Sequence, residues 1–126
     1  MNDITIAINE AYERCAICDF QYGPNLDAVH IIPLDDGGSN SYENLLGLCA
    51  NCHQMFIRGL ILVDGTGTIQ LNKRSVEENI RNNRADSLET LRSILRDSLW
   101  LPKNKEFHPS PDNLQQNFEA KSVILP

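Results

Sequence analysis

The sequence predicts a small α+β domain stapled by a metal ion. Three observations point there: two C-x-x-C pairs, short apolar runs cut by Pro and Gly, and capping-box helix starts confined to the C-terminal half. At 126 residues, with 41% apolar and 22% charged side chains, the composition is globular rather than disordered. A chain of this size is one ordinary domain (residues 1–126), able to bury roughly two-thirds of its unfolded surface. The longest apolar run, Leu60–Val63, is too short to span a membrane, and Met1-Asn2-Asp3-Ile4-Thr5 lacks the features of a secretory signal. A cytoplasmic protein is therefore expected.

Each element has its own warrant. Ile4, Ile8, Ala11 and Tyr12 recur at helical spacing, predicting a helix that ends near Arg14, although alternation of Ile4, Ile6 and Ile8 fits a strand nearly as well. Leu26–Ile32 is a β-prone run stopped by Pro33, followed by the polar loop 35–41. Leu45–Leu48 is a second short apolar run. A helix over Asn51–Arg58 should close at Gly59. Leu60–Val63 and Thr68–Leu71, separated by Asp64-Gly65-Thr66-Gly67, read as a β-hairpin.

A helical extension over 75–126 follows. Ser75 with Glu78 and Asp86 with Glu89 are capping-box starts, and Leu88, Leu91, Leu95 and Leu99 share one face of a helix that Pro102 should end. Trp100 beside that stripe reads as core. The segment His108-Pro109-Ser110-Pro111-Asp112 leads to another short helix candidate.

The cysteines carry the sharpest chemistry. Cys15 and Cys18 form one knuckle and Cys49 and Cys52 another, with 30 residues between the pairs. Disulfides do not persist in a reducing cytosol, whereas four thiolates are the ligand set of a closed tetrahedral structural zinc. A lone C-x-x-C would leave a redox reading open; two together favour zinc.

Between and after the knuckles lie His30, Asn44 and His53, giving C-x2-C-x11-H-x13-N-x4-C-x2-C-H. The phrases Ala28-Val29-His30-Ile31-Ile32-Pro33, Gly37-Gly38-Ser39-Asn40 and Glu43-Asn44-Leu45-Leu46 surround them. This string resembles the zinc-knuckle branch of the HNH endonucleases, with residues 15–63 as the motif core. The resemblance implies a ββα-metal nuclease fold that hydrolyses DNA phosphodiester bonds. It puts His30 in the general-base position, Asn44 where it fixes the loop and orients that base, and His53 as a ligand of a catalytic divalent cation. That ion is read as magnesium or manganese, with nickel or zinc as alternatives. The chemistry is coherent: phosphodiester hydrolysis needs a proton acceptor near pH 7 for water and a cation for the developing charge.

Two positions depart from the family. Many members carry a ligand directly before the base, where this chain has Val29, and another four residues after the ligand His, where it has Ile57. Asp27 is the nearest replacement, since residues two apart on a strand share a face and a carboxylate is a hard oxygen ligand. A subset of the family resembles this chain more fully, with an acidic residue three before the base and a phrase similar to Phe56-Ile57-Arg58-Gly59-Leu60-Ile61. Such domains serve in restriction or anti-phage systems.

The charge of −6 speaks against binding DNA through bulk positive charge. It is uneven, however: residues 1–60 hold two basic and eight acidic side chains, while 73–105 hold eight basic and five acidic. Lys73, Arg74, Arg81 and Arg84 are candidates for a DNA-backbone patch, and Arg58 for a phosphate contact or a helix-end cation. A domain this small and acidic is expected to draw on a regulatory partner protein or a homodimer for DNA affinity. The competing reading is a catalytically inactive zinc module of the same fold that binds nucleic acid or a partner protein.

Overall fold

The helical spacing of Ile4, Ile8 and Ala11 wins over the strand alternative: Asp3–Ala11 forms α1 in the computed structural model, which describes residues 3–21, 25–72 and 92–123. The helix stops three residues before Arg14. Tyr12 donates to the Ile8 carbonyl to close its last turn, and the chain then bends into the first knuckle, where the Cys15 amide bonds the Phe20 carbonyl and the Asp19 amide bonds Cys15. Asp19 takes a left-handed φ of 67° to complete this turn.

Asp27–His30 forms β1 and Leu45–Leu48 forms β2, paired antiparallel with Asp27 opposite Leu48 and His30 opposite Leu45. Every residue of β2 is buried, because α1 packs on this pair from one direction and α2 (Ala50–Ile57) also contacts both strands. Gly47 makes that packing possible: a Cβ there would come within 2.7 Å of the Tyr12 ring. Helix α2 reverses at Gly59, whose φ of 76° suits a residue without a Cβ. The predicted hairpin follows as β3 (Ile61–Val63) and β4 (Ile69–Leu71), with Ile61 opposite Leu71.

Beyond the hairpin one expectation fails. The Leu stripe predicts a helix running to Pro102, but residues 95–100 are not helical. The backbone of this stretch has other partners: Ser98 bridges Thr68, the Ile69 amide bonds Asp97, and Arg96 and Trp100 donate to Ile17 and Ala16 of the first knuckle. Leu95 and Leu99 are nevertheless buried, because spacing by four suits this extended clamp as well as a helix face. Trp100 is half-buried, with its ring 5.9 Å from that of Tyr12. The helix starts at Ser75 and Asp86, with Leu88 and Leu91, lie outside the described residues. Pro111–Val123 forms the final helix, α3, which packs on β3.

The core joins both sheets and the helices through Ile8, Ile17, Ile31, Leu46, Phe56, Ile61 and Ile69. Among the described residues, no helix is long and apolar enough to cross a membrane.

Candidate active site and metal staple

The two knuckles meet. The sulfurs of Cys15, Cys18, Cys49 and Cys52 all lie within 4.8 Å of one another, and Cys18 Sγ is 3.7 Å from Cys49 Sγ. Four sulfurs at 2.3 Å from a tetrahedral zinc stand about 3.8 Å apart, so the donor set and its spacing both fit a metal of that kind. All four are free thiols. Hydrogen bonds from Cys15 and Cys52 hold the Cys49 thiol down to about 2, while burial pushes Cys18 up to about 12. Cys52 is raised further by its hydrogen bonds to Cys15 and Cys49 and by burial. Four thiolates at this spacing need a cation among them.

His30 ends β1 and is half-buried. Its Nε2 lies 2.8 Å from the side-chain oxygen of Asn40. Asn44, expected to hydrogen-bond this histidine, instead turns into the protein and is 1% exposed. Its oxygen accepts from the Ile32 amide at 2.8 Å, and its nitrogen donates to the carbonyls of Ile32 and Ser39, both at 2.9 Å. The Ile31 amide also bonds the Asn44 backbone carbonyl. Asn44 therefore clamps the chain just past His30 to the Gly-rich loop that carries Ser39 and Asn40. Sequence reasoning missed Asn40, an amide in a polar turn of a kind that ordinarily signals only a loop.

His53 sits in the first turn of α2, one residue after the metal-site Cys52. Its Nδ1 is 2.9 Å from the Asp27 carboxylate, which is 45% exposed. His30 and His53 line one groove of about 510 Å³, together with Pro33, Asp35 and Ile57. The two positions that depart from the motif differ sharply. Both line the groove, but Ile57 is half-exposed in it, whereas Val29, on the strand face it was expected to share with Asp27, is 1% exposed and also packs against the core. A histidine at 29 would need a fully buried slot.

Arg58 is exposed at the C-terminal end of α2. Lys73, Arg74, Arg81 and Arg84 lie outside the described residues.

Residues 13–56 match the family model of the HNH endonucleases. A stretch of 55 residues is 31% identical to Anaredoxin of Nostoc sp. (strain PCC 7120), covering 44% of this chain and 70% of that protein. The chain belongs to the HNH endonuclease family. Its HNH fold is similar to that of a modification dependent TagI restriction endonuclease, with a TM-score of 0.59 and 18% identity over 90% of this chain. This HNH chain spans 34% of the length of that enzyme. The matched segment begins before the first knuckle and ends within α2, so it contains all four cysteines, both groove histidines and Asn44.

Proposed function

We propose that this chain is a metal-dependent endonuclease that hydrolyses DNA phosphodiester bonds. The observation that carries the reading is the convergence of His30 and His53 on one groove, with Asp27 against His53. In this reading His30 accepts a proton from the attacking water. The water oxygen forms its bond to phosphorus as the bond to the leaving oxygen breaks, and solvent protonates that oxygen. A divalent cation, magnesium or manganese first, supplies charge for the pentacovalent transition state when bound. His53 would hold it, and Asp27 would act as an oxygen ligand or fix the imidazole from Nδ1, as carboxylates do for ligating histidines. The four-cysteine ion is read as zinc. By analogy with the TagI restriction endonuclease, we read the chain as serving in a restriction or anti-phage system, acting with a partner protein or as a homodimer.

A second reading keeps the fold and removes the chemistry: an inactive module binding nucleic acid or a protein. One observation favours it. Val29 is in the core and Ile57 is apolar, so among the described residues His53 and Asp27 are the donors at the expected metal position.

Plasmid incubation with magnesium, manganese or nickel separates the two. Wild type should cut, and His30→Ala should lose about 10²- to 10⁴-fold in rate, the usual contribution of a general base. Calorimetric titration with manganese should show His53→Ala binding more weakly and His30→Ala nearly unchanged. Equal cutting by wild type and His30→Ala, or none with any metal, would leave the binding module standing.

A further inference from the structure

We propose that Asn40 is the positioning residue for His30: it holds the ring with its proton on Nε2 and so makes Nδ1 the nitrogen that accepts the proton from water. The inference deepens the nuclease reading and rests on it for the role of His30, but not for the state of the ring.

The observation is the 2.8 Å contact between His30 Nε2 and the Asn40 side-chain oxygen. An amide oxygen only accepts, so the partner nitrogen must carry a hydrogen. In a neutral imidazole the other nitrogen then bears the lone pair. An unheld ring exchanges between both tautomers and turns about its side-chain bonds, which dilutes the reactive arrangement.

Asn40 is exposed yet not loose. Ser39 and Ser41 on either side of it share a hydroxyl–hydroxyl bond of 2.7 Å, and the Ser41 amide donates to the Ser39 hydroxyl. The Ser39 carbonyl is gripped by the buried Asn44, and Gly38 packs so closely that its Cα hydrogen faces the Ile32 carbonyl. The Gly37-Gly38-Ser39-Asn40 phrase is thus a bracket that presents one amide to the base. During the reaction Nδ1 gains the water's proton, while Nε2 keeps its own and shares it with Asn40. The positive imidazolium then has a fixed acceptor at Nε2.

Nitrogen-15 NMR of the whole chain, zinc-loaded and without DNA or catalytic metal, reads this directly. His30 signals are assigned by their loss in His30→Gln. Wild type should show a single Nε2–H tautomer with a visible Hε2 proton. Asn40→Ala should shift both ring nitrogens toward the averaged values of a mixed tautomer and lose that proton to exchange. Asn40→Asp, which keeps an acceptor, should restore the wild-type pattern. In the plasmid assay Asn40→Ala should lower kcat roughly 10- to 100-fold, by analogy with loss of an outer partner of a site histidine, with KM within about twofold. A proton on Nδ1 in wild type, or ring nitrogens unmoved in Asn40→Ala, overturns the proposal. So does an unchanged kcat in that variant. If wild type fails to cut, the nuclease reading falls and the NMR result alone decides this one.

Discussion

Two neighbouring glycines in the loop beyond β1 do different work. Gly37 has a φ of 91° with open space where a side chain would sit, so its requirement is conformational. Gly38 lies against the chain beyond β1: a Cβ there would fall 1.9 Å from the Ile32 carbonyl oxygen and 2.7 Å from the Asn44 side-chain nitrogen. Gly37→Ala should therefore cost about 1 kcal/mol, the penalty for an L-residue in the left-handed region. Gly38→Ala must push the loop off Asn44 and expose unpaired groups at Ile32, at a cost of about 3 kcal/mol or more. Urea unfolding of both variants checks the order, and a Gly38→Ala no worse than Gly37→Ala would contradict the packing. At this scale the sequence was readable where chemistry restricts the side chain. Thiolates, imidazoles and their spacing mark Cys15, Cys18, Cys49, Cys52, His30 and His53 as soon as they are seen. It was less readable where direction matters. The family resemblance placed Asn44 beside the base but could not say that its amide turns inward to Ile32, nor that Asn40 is the amide at the ring.

At the level of elements, α2 is fastened at both ends. Its first turn holds Cys52 and His53, and its last carbonyls receive Lys121 from α3: the ammonium donates to the Phe56 carbonyl and lies 4.0 Å over the Phe56 ring. A cation there meets the negative end of the helix dipole and the face of an aromatic ring. Burial works in the other direction and pushes the Lys121 amine down to about 8. The sign follows from linkage. Between about pH 8 and the ordinary lysine value, the unfolded chain binds the proton more fully than the folded one, so stability should rise with pH across that window. Lys121→Met should flatten the rise while keeping the aliphatic contact with Phe56. Denaturant titrations between pH 7 and 10.5 measure it, and an equal slope in both proteins would remove burial as the governing influence. No sequence pattern announces this cap, since its partners stand 65 residues apart. Residues 95–100 teach the same lesson. Leu95 and Leu99 do share a buried face, yet periodicity cannot see that the knuckle takes the Arg96 and Trp100 amides and the hairpin turn takes the Leu99 amide.

For the molecule as a whole, the staple and the groove are one mechanical unit. The first knuckle follows α1 and the second opens α2, so an ion held by the four sulfurs would join the N-terminal helix to the helix that carries His53. The 95–100 clamp ties in from the other side, with Arg96 bonding Ile17 through its amide and Asp19 through its guanidinium at 2.7 Å. Apparent binding energies of about 10–16 kcal/mol for four-ligand zinc sites match or exceed the total stability of about 5–15 kcal/mol typical of a small domain. Removing the ion should therefore unfold the region around the knuckles rather than loosen it locally. Cys49→Ser, at a half-buried sulfur, is the sharpest version because it deletes a donor without opening a core cavity. It should lower zinc below one per chain, cost a large part of the thermal transition and, by releasing α2, weaken manganese binding at His53. His53→Ala should weaken that binding with zinc content and melting nearly intact, since the ring is 29% exposed and its side-chain partner is the half-exposed Asp27 carboxylate rather than a knuckle cysteine. Zinc content, calorimetric melting and manganese titration on the two variants decide the matter together. Full zinc and an unchanged melting transition in Cys49→Ser would mean that the four sulfurs do not hold the fold. The position of His53 would then have to come from the packing of Phe56 and the Lys121 cap instead.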